Sequence, residues 1–154
     1  MAAIPLLCTM ASVVTLRGGG SDARVLLVHR AGPTLAGAWS YVAGHLEEGE
    51  FLWQCALREL AEETSLRPLA LYATDKCEEF YDVVGECIQV VPAFLAVVAD
   101  DATVQLNGEH DAFRWVSVLE AVNGLPFGGQ RELFAHVQRE FIERTPSAWL
   151  RMPM

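Results

Sequence analysis

Glu59, Glu62 and Glu63 stand at i, i+3 and i+4 of a stretch whose apolar residues Leu52, Cys55, Ala56, Leu57 and Leu60 recur at helical spacing. No other feature constrains the chain as much. The pattern predicts a helix over Glu50 to Thr64, with one apolar stripe turned to a core and the carboxylates crowded on one face. Like charges at this spacing repel, at a cost of about 0.2–0.5 kcal/mol per pair. Two readings accommodate them. One is a solvated acidic face, relieved in part by Arg58. The other is a set of oxygen ligands for a hard divalent cation, which offsets the repulsion and keeps waters that substrate phosphates can replace.

The whole-chain balance bears on that choice. The 154 residues suit one domain spanning 1–154, and a composition 52% hydrophobic and 20% charged suits a globular chain with a real core. A net charge of −9 argues against general nucleic-acid binding, which needs a basic surface to displace counterions. A phosphorylated small molecule would need local positive charge, which a cation held by carboxylates supplies.

Cys8, Cys55, Cys77 and Cys87 form no C-x-x-C pair, which disfavours zinc. They are read as buried thiols of a cytoplasmic protein. Met1 to Leu16 is apolar, but it lacks a basic start and Pro5 interrupts it, so a strand is the better reading than a targeting segment. No apolar run reaches the ~20 residues a membrane helix needs.

Along the chain, strands are predicted at Cys8 to Leu16 and Arg24 to His29, joined as a hairpin by the turn from Arg17 to Asp22. The second is apolar throughout, as a central strand is. A loop over Arg30 to Ala38 and a short apolar segment over Trp39 to Ala43 precede the carboxylate helix. Two strands follow, Leu69 to Tyr81 and Cys87 to Val98, then a polar loop over Asp100 to Gly108, a strand over Ala112 to Val116 and a helical turn over Ser117 to Val122. A final helix is expected over Gly129 to Arg144. This order implies an α/β (α+β) fold, a mixed sheet with helices packed on its faces. Val83 to Val98 is apolar enough to serve either as a homodimer surface or as a core strand.

The stretch from Gly44 to Leu66 resembles the signature of the MutT/Nudix hydrolases, G-x5-E-x7-R-E-U-x-E-E-x-G-U with U aliphatic. Gly44, Glu50, Arg58, Glu59, Leu60, Glu62, Glu63 and Leu66 match, which is eight of its nine fixed positions. Ser65 stands where the second glycine is expected, just past the helix, where glycine relieves left-handed strain. Outside that signature, Arg24 to Arg30 with Trp39 resembles the strand, arginine and tryptophan that precede it in the family. The segment from Asn107 to Val116 resembles the family's later acidic residue and Trp-Val strand. Within the family, the lead into the signature and the Glu-His before Trp115 look most like the dATP or dihydroneopterin triphosphate pyrophosphohydrolases.

The resemblance implies an α/β/α sandwich, a curved mixed sheet with the carboxylate helix on one face and a C-terminal helix. It implies Mg2+, or Mn2+, held by Glu59, Glu62 and Glu63, with the Ala43 carbonyl as an extra ligand, and Glu50 holding Arg58 or a metal-bound water. The implied reaction is hydrolysis of a diphosphate linkage in a nucleoside triphosphate or related nucleotide. Diadenosine polyphosphates, ADP-sugars and nucleotide sugars are alternatives, and a non-catalytic nucleotide sensor is another. Glu59 and Glu109 are the two candidates for general base. Arg30 is a candidate phosphate clamp. Trp39, Tyr41, Phe80 and Tyr81 are candidates to stack on a base, each with core packing as its alternative. Trp53 is read as packing. His110 is read either as a substrate contact or as a structural histidine.

Overall fold

The computed structural model describes residues 1–154. Its strands are β1 (Leu6–Leu7), β2 (Met10–Arg17), β3 (Arg24–Arg30), β4 (Trp39–Ser40), β5 (Val42–His45), β6 (Ala70–Asp82), β7 (Cys87–Val97) and β8 (His110–Val116). Its helices are α1 (Leu52–Thr64), α2 (Val118–Gly124) and α3 (Gly128–Val137). All eight strands join one mixed sheet, ordered β1-β7-β2-β3-β4, with β5 on β2, β6 on β7 and β8 on β3. No helix is long and apolar enough to cross a membrane.

Strand alternation divides the interior into two cores. In β2, Ala11 and Val13 face α1, while Val14 and Leu16 face α2 and α3. In β3, Leu26 and Val28 join Cys55, Ala56 and Leu60 of α1, while Val25 and Leu27 join Ala121, Leu133, Phe134 and Val137. A strand covered on both faces reads as continuously apolar, which is why RVLLVH carries no polar alternation. The result is the expected three-layer α/β/α sandwich, with α1 on one face and the C-terminal helices on the other.

Several boundaries and pairings differ from the sequence reading. The expected hairpin closes over only two residue pairs, Leu16 with Val25 and Arg17 with Arg24. Beyond them β2 runs antiparallel to β5 and parallel to β7, a long-range pairing that no local pattern announces. The first expected strand corresponds to β2, which starts two residues later at Met10. The two-residue β1 before it was not expected, and β8 begins two residues early, at His110. The expected terminal helix is α-helical only to Val137 and continues as a π-turn over Gln138–Ile142. Cys55 and Cys87 are buried as expected, but Cys8 and Cys77 are exposed. Cys77 lies on β6 and Cys8 in the link between β1 and β2, both outside the two hydrophobic cores. Within Val83 to Val98, the residues Val91 to Ala96 of β7 serve the core reading, while Val83 and Val84 are exposed at the hairpin tip.

Candidate active site

The site is assembled by the approach of β5 to α1. Gly44 of β5 pairs with Ala11 of β2, and the Glu59 carboxylate lies directly over it. A Cβ on residue 44 would overlap the Cδ, Oε1 and Oε2 atoms of Glu59. A side chain at 44 would therefore have to displace the Glu59 carboxylate; it is volume, not an unusual backbone angle, that glycine supplies here. Cys55, one turn before Glu59, directs its thiol to the Gly44 carbonyl at 3.7 Å, and burial pushes that thiol up to about 11. It is a packing residue, not a nucleophile.

Arg58 ties the preceding loop to the helix. Its Nε and Nη2 donate to the two Glu50 oxygens at 3.1 and 2.6 Å, and Nη2 also donates to the His45 carbonyl at 2.8 Å. Nη1 donates to Glu59 Oε1 at 2.7 Å and lies 3.4 Å from Glu62 Oε2. Glu50 in turn accepts from the Glu47 N–H at 2.8 Å. Forked guanidinium–carboxylate pairs of this kind are the strong ones. Hydrogen bonding to Arg58 holds the Glu50 carboxyl down at about 2. Glu50 is thus engaged with Arg58 inside this loop, while Glu62 stands more open to solvent.

Glu63 is in the opposite condition. It is 2% exposed, and its Oε2 has no hydrogen-bond partner. Burial, reinforced by the Glu109 and Glu59 charges, pushes its carboxyl up to about 9, with Arg30 acting against them. Burial raises Glu59 as well, opposed by Arg58. The nearest cationic or potentially cationic group is His110, whose Nδ1 lies 3.7 Å from Glu63 Oε2, too far for a hydrogen bond. Burial lowers the His110 pKa, which favours the neutral ring.

Glu109 reaches the site on a docked loop. The Gln105 and Asn107 N–H groups cap the Thr64 and Glu63 carbonyls at 2.9 and 3.3 Å, covering the C-terminus of α1. Asn107 Oδ1 then accepts from the Glu109 N–H at 3.0 Å, and the Glu109 carbonyl accepts from Ala31 at 3.0 Å. The backbone of Glu109 is fixed while its side chain stays exposed. Ser65, the departure from the glycine pattern, takes φ 61° as the left-handed cap of α1, and its Oγ approaches the Gln105 carbonyl at 3.4 Å.

The remaining candidates scatter. Arg30 ends β3 beside this cluster, with Nε donating to the Thr34 carbonyl at 2.8 Å. Ala43 lies in β5 opposite Ser12. Trp39 is partly buried, with the Arg114 guanidinium 4.2 Å above its ring and His29 at 5.0 Å. Tyr41 is a correction. It is 4% exposed, packs on Phe134 and donates its hydroxyl to Glu78, so its ring offers no free face for stacking. It lies between β4 and β5; its neighbour Val42 packs on the α1 side, while Tyr41 packs in the opposite core. Tyr81 and Phe80 are exposed near the β6–β7 turn, where the Tyr81 hydroxyl donates to Glu86 at 2.8 Å. Trp53 packs against the α1-side core, as read.

No three His, Cys, Asp or Glu side chains converge on a single point. The donors nonetheless suit a hard divalent cation. They are carboxylate oxygens, one is buried without a partner, and their mutual repulsion is what a cation would relieve.

Comparison with known proteins places the fold and the family. A model of the NUDIX domain matches residues 8–145. An octanoyltransferase of Myxococcus xanthus is 45% identical over 125 residues, covering 79% of this chain and 34% of that protein. An asymmetrical bis(5'-nucleosyl)-tetraphosphatase of Caenorhabditis elegans is 33% identical over 86 residues, covering 54% of this chain and 62% of that one. The chain thus spans about a third of the first relative and about three-fifths of the second. Among solved structures, a C. elegans Ap4A hydrolase binary complex superposes with a TM-score of 0.71 at 24% identity, over 84% of this chain and 94% of that one.

Proposed function

The chain belongs to the Nudix family, and we propose that it is a pyrophosphohydrolase that uses Mg2+ to cut a diphosphate linkage in a nucleoside polyphosphate. The observation that carries this reading is the seating of Glu59 over Gly44, with Arg58 gripping it from one side and Glu63 buried and unpaired one turn on. A surface helix with no chemistry to perform gains nothing from a buried carboxyl group without a partner, which costs stability.

Glu59, Glu62 and Glu63 would hold the cation, with the Ala43 carbonyl as a further oxygen. When bound it would supply charge neutralisation for the diphosphate and a more acidic attacking water. The chain's own groups do the rest. Arg58 and Glu50 fix the loop from His45 to Glu50 against α1. Arg30 offers a planar fork to a phosphate oxygen. Glu109 is the better placed of the two base candidates. Its side chain is exposed on an anchored backbone, whereas Glu59 is committed to Arg58. A base must reach hydrogen-bonding distance of its water, and an exposed side chain held only by a long 3.5 Å bond from Asn107 Nδ2 can.

Among substrates, a dinucleoside tetraphosphate and a nucleoside triphosphate are the two to set against each other. The relatives named as asymmetrical tetraphosphatases support the first. The test is a panel of both, with ADP-ribose and a nucleotide sugar, in Mg2+, with Glu62→Gln as control. Turnover of a panel member that the control loses is expected. Turnover equal in both proteins, or none in either, would overturn the reading.

A further inference from the structure

Six buried side-chain polar atoms lack a hydrogen-bond partner, and three of them sit in one pair of residues: Glu63 Oε2 and both ring nitrogens of His110. Leaving a buried donor or acceptor unsatisfied costs about 1–3 kcal/mol each, so their clustering calls for a cause. The sheet supplies one. β8 alternates regularly from Val116 back to Ala112, with Arg114 opposite Leu27 of the α2/α3 core and Trp115 opposite Leu26 of the α1 core. Continued alternation would turn Asp111 toward α1 and His110 away from it. The register instead skips, so that His29 faces Ala112 and Arg30 faces His110, with Asp111 as the extra residue. Such a bulge re-aims side chains and is common beside active sites. Here it sends Asp111 to His29 Nδ1, 2.5 Å away, and sends His110 to Glu63.

We propose that His110 is a positioning residue for Glu63: its Nδ1–H, aimed inward by the bulge at Asp111, holds Oε2 and leaves Oε1 turned outward as the oxygen that meets a cation. Of the two carboxylate oxygens, Oε2 is the one both sealed from solvent and without a partner. Closing the 3.7 Å gap to hydrogen-bonding distance would satisfy two of the three orphaned atoms at once. The inference rests on the reading of Glu63 as a cation ligand. Groups that orient a ligand in this way typically contribute 10–100-fold to metal affinity.

The test is a titration of the full chain with Mn2+ alone, following free Mn2+ by electron paramagnetic resonance. The variants are His110→Asn, His110→Gln, His110→Leu and Glu63→Gln, each with its metal-free Tm. An Asn amide nitrogen sits where Nδ1 does and a Gln amide nitrogen sits nearer Nε2. Weakening by roughly 10–100-fold is therefore expected in His110→Leu and His110→Gln, with His110→Asn close to wild type. Should His110→Leu not fold, the Asn–Gln contrast decides alone. Equal loss in Asn and Gln, or wild-type affinity in Leu or Gln, overturns the positioning role. Wild-type affinity in Glu63→Gln overturns the ligand reading itself, and the proposal with it. Weakening in Glu63→Gln without weakening in His110→Leu overturns only the role of His110.

Discussion

The Glu59 carboxylate occupies the space where Gly44 would carry a side chain. Gly44→Ala must therefore displace either the carboxylate or the β5 backbone. Since misplacements of about 1 Å at a reacting centre cost on the order of 100-fold in rate, kcat/KM is expected to fall by about that factor. The chain should still fold, because the residues packing β5 against β2 are unchanged. Steady-state kinetics beside circular dichroism checks this. Retained kcat/KM in a folded Gly44→Ala protein would show that Glu59 need not sit where it does.

The shared face of the α1 carboxylates was legible from spacing alone; their role as cation ligands was implied only by the family resemblance. Glu59 and Glu63 are four residues apart on an apolar-striped helix, and that spacing is a local property which helix geometry converts directly into a shared face. Ser65 was legible too, as the residue that ends the helix in a left-handed turn. What escaped depends on contacts between distant segments. The bulge at Asp111 exists only in the pairing of β8 with β3, and the run His-Asp-Ala-Phe-Arg-Trp shows no trace of it. The burial of Tyr41 is set by the core that the β4–β5 link faces, not by its own segment. The parallel pairing of β2 with β7 joins residues roughly eighty apart, so the hairpin suggested by the Gly-rich turn overstated how far β2 and β3 run together.

Glu63→Gln separates stability from activity. Burial holds the Glu63 carboxyl up at about 9, so the metal-free folded chain keeps a proton that the unfolded chain releases at neutral pH. Gln keeps the shape without that cost, so the metal-free variant should melt above wild type at about pH 7. Each kcal/mol gained corresponds to roughly 2–4 °C in a domain of this size. Turnover should be lost. Mg2+ should raise the Tm of wild type by mass action and that of the variant much less. Differential scanning calorimetry with and without Mg2+ checks both; a metal-free variant that melts well below wild type would contradict the burial argument.

Glu78 governs a pH dependence on the opposite face of the sheet. Burial raises its pKa above the ordinary 4.5, while hydrogen bonds from Tyr41 and Ser12 act against the rise. A carboxyl whose folded pKa is raised binds its proton more tightly in the folded state, so its contribution is fullest below 4.5 and is lost as pH climbs through the folded value. Glu78→Gln cannot lose this contribution. The difference in Tm between variant and wild type should therefore grow in the variant's favour from pH 4 to pH 8, the other titrating groups cancelling between them. A difference that stays flat would place the Glu78 pKa near its ordinary value.

Ser65→Gly tests the one departure from the signature. Relief of left-handed strain stabilises by about 1–2 kcal/mol, and the added freedom of glycine in the unfolded chain offsets about 0.5–1 kcal/mol of that. The 3.4 Å contact of Ser65 Oγ with the Gln105 carbonyl is long enough to contribute little. A modest rise in Tm with unchanged kcat is expected. A fall in Tm would mean that the serine contact anchors the loop bearing Glu109.

The most direct measurement follows products from a dinucleoside tetraphosphate by anion-exchange chromatography, in Mg2+ and in EDTA, for wild type and Glu59→Gln. Asymmetric cleavage to a nucleoside triphosphate and a nucleoside monophosphate is expected with Mg2+. It should cease in EDTA, return when Mg2+ is restored, and fall by at least about 100-fold in Glu59→Gln. Cleavage that persists in EDTA or in Glu59→Gln would contradict the assignment of the α1 carboxylates as a cation-dependent hydrolytic centre.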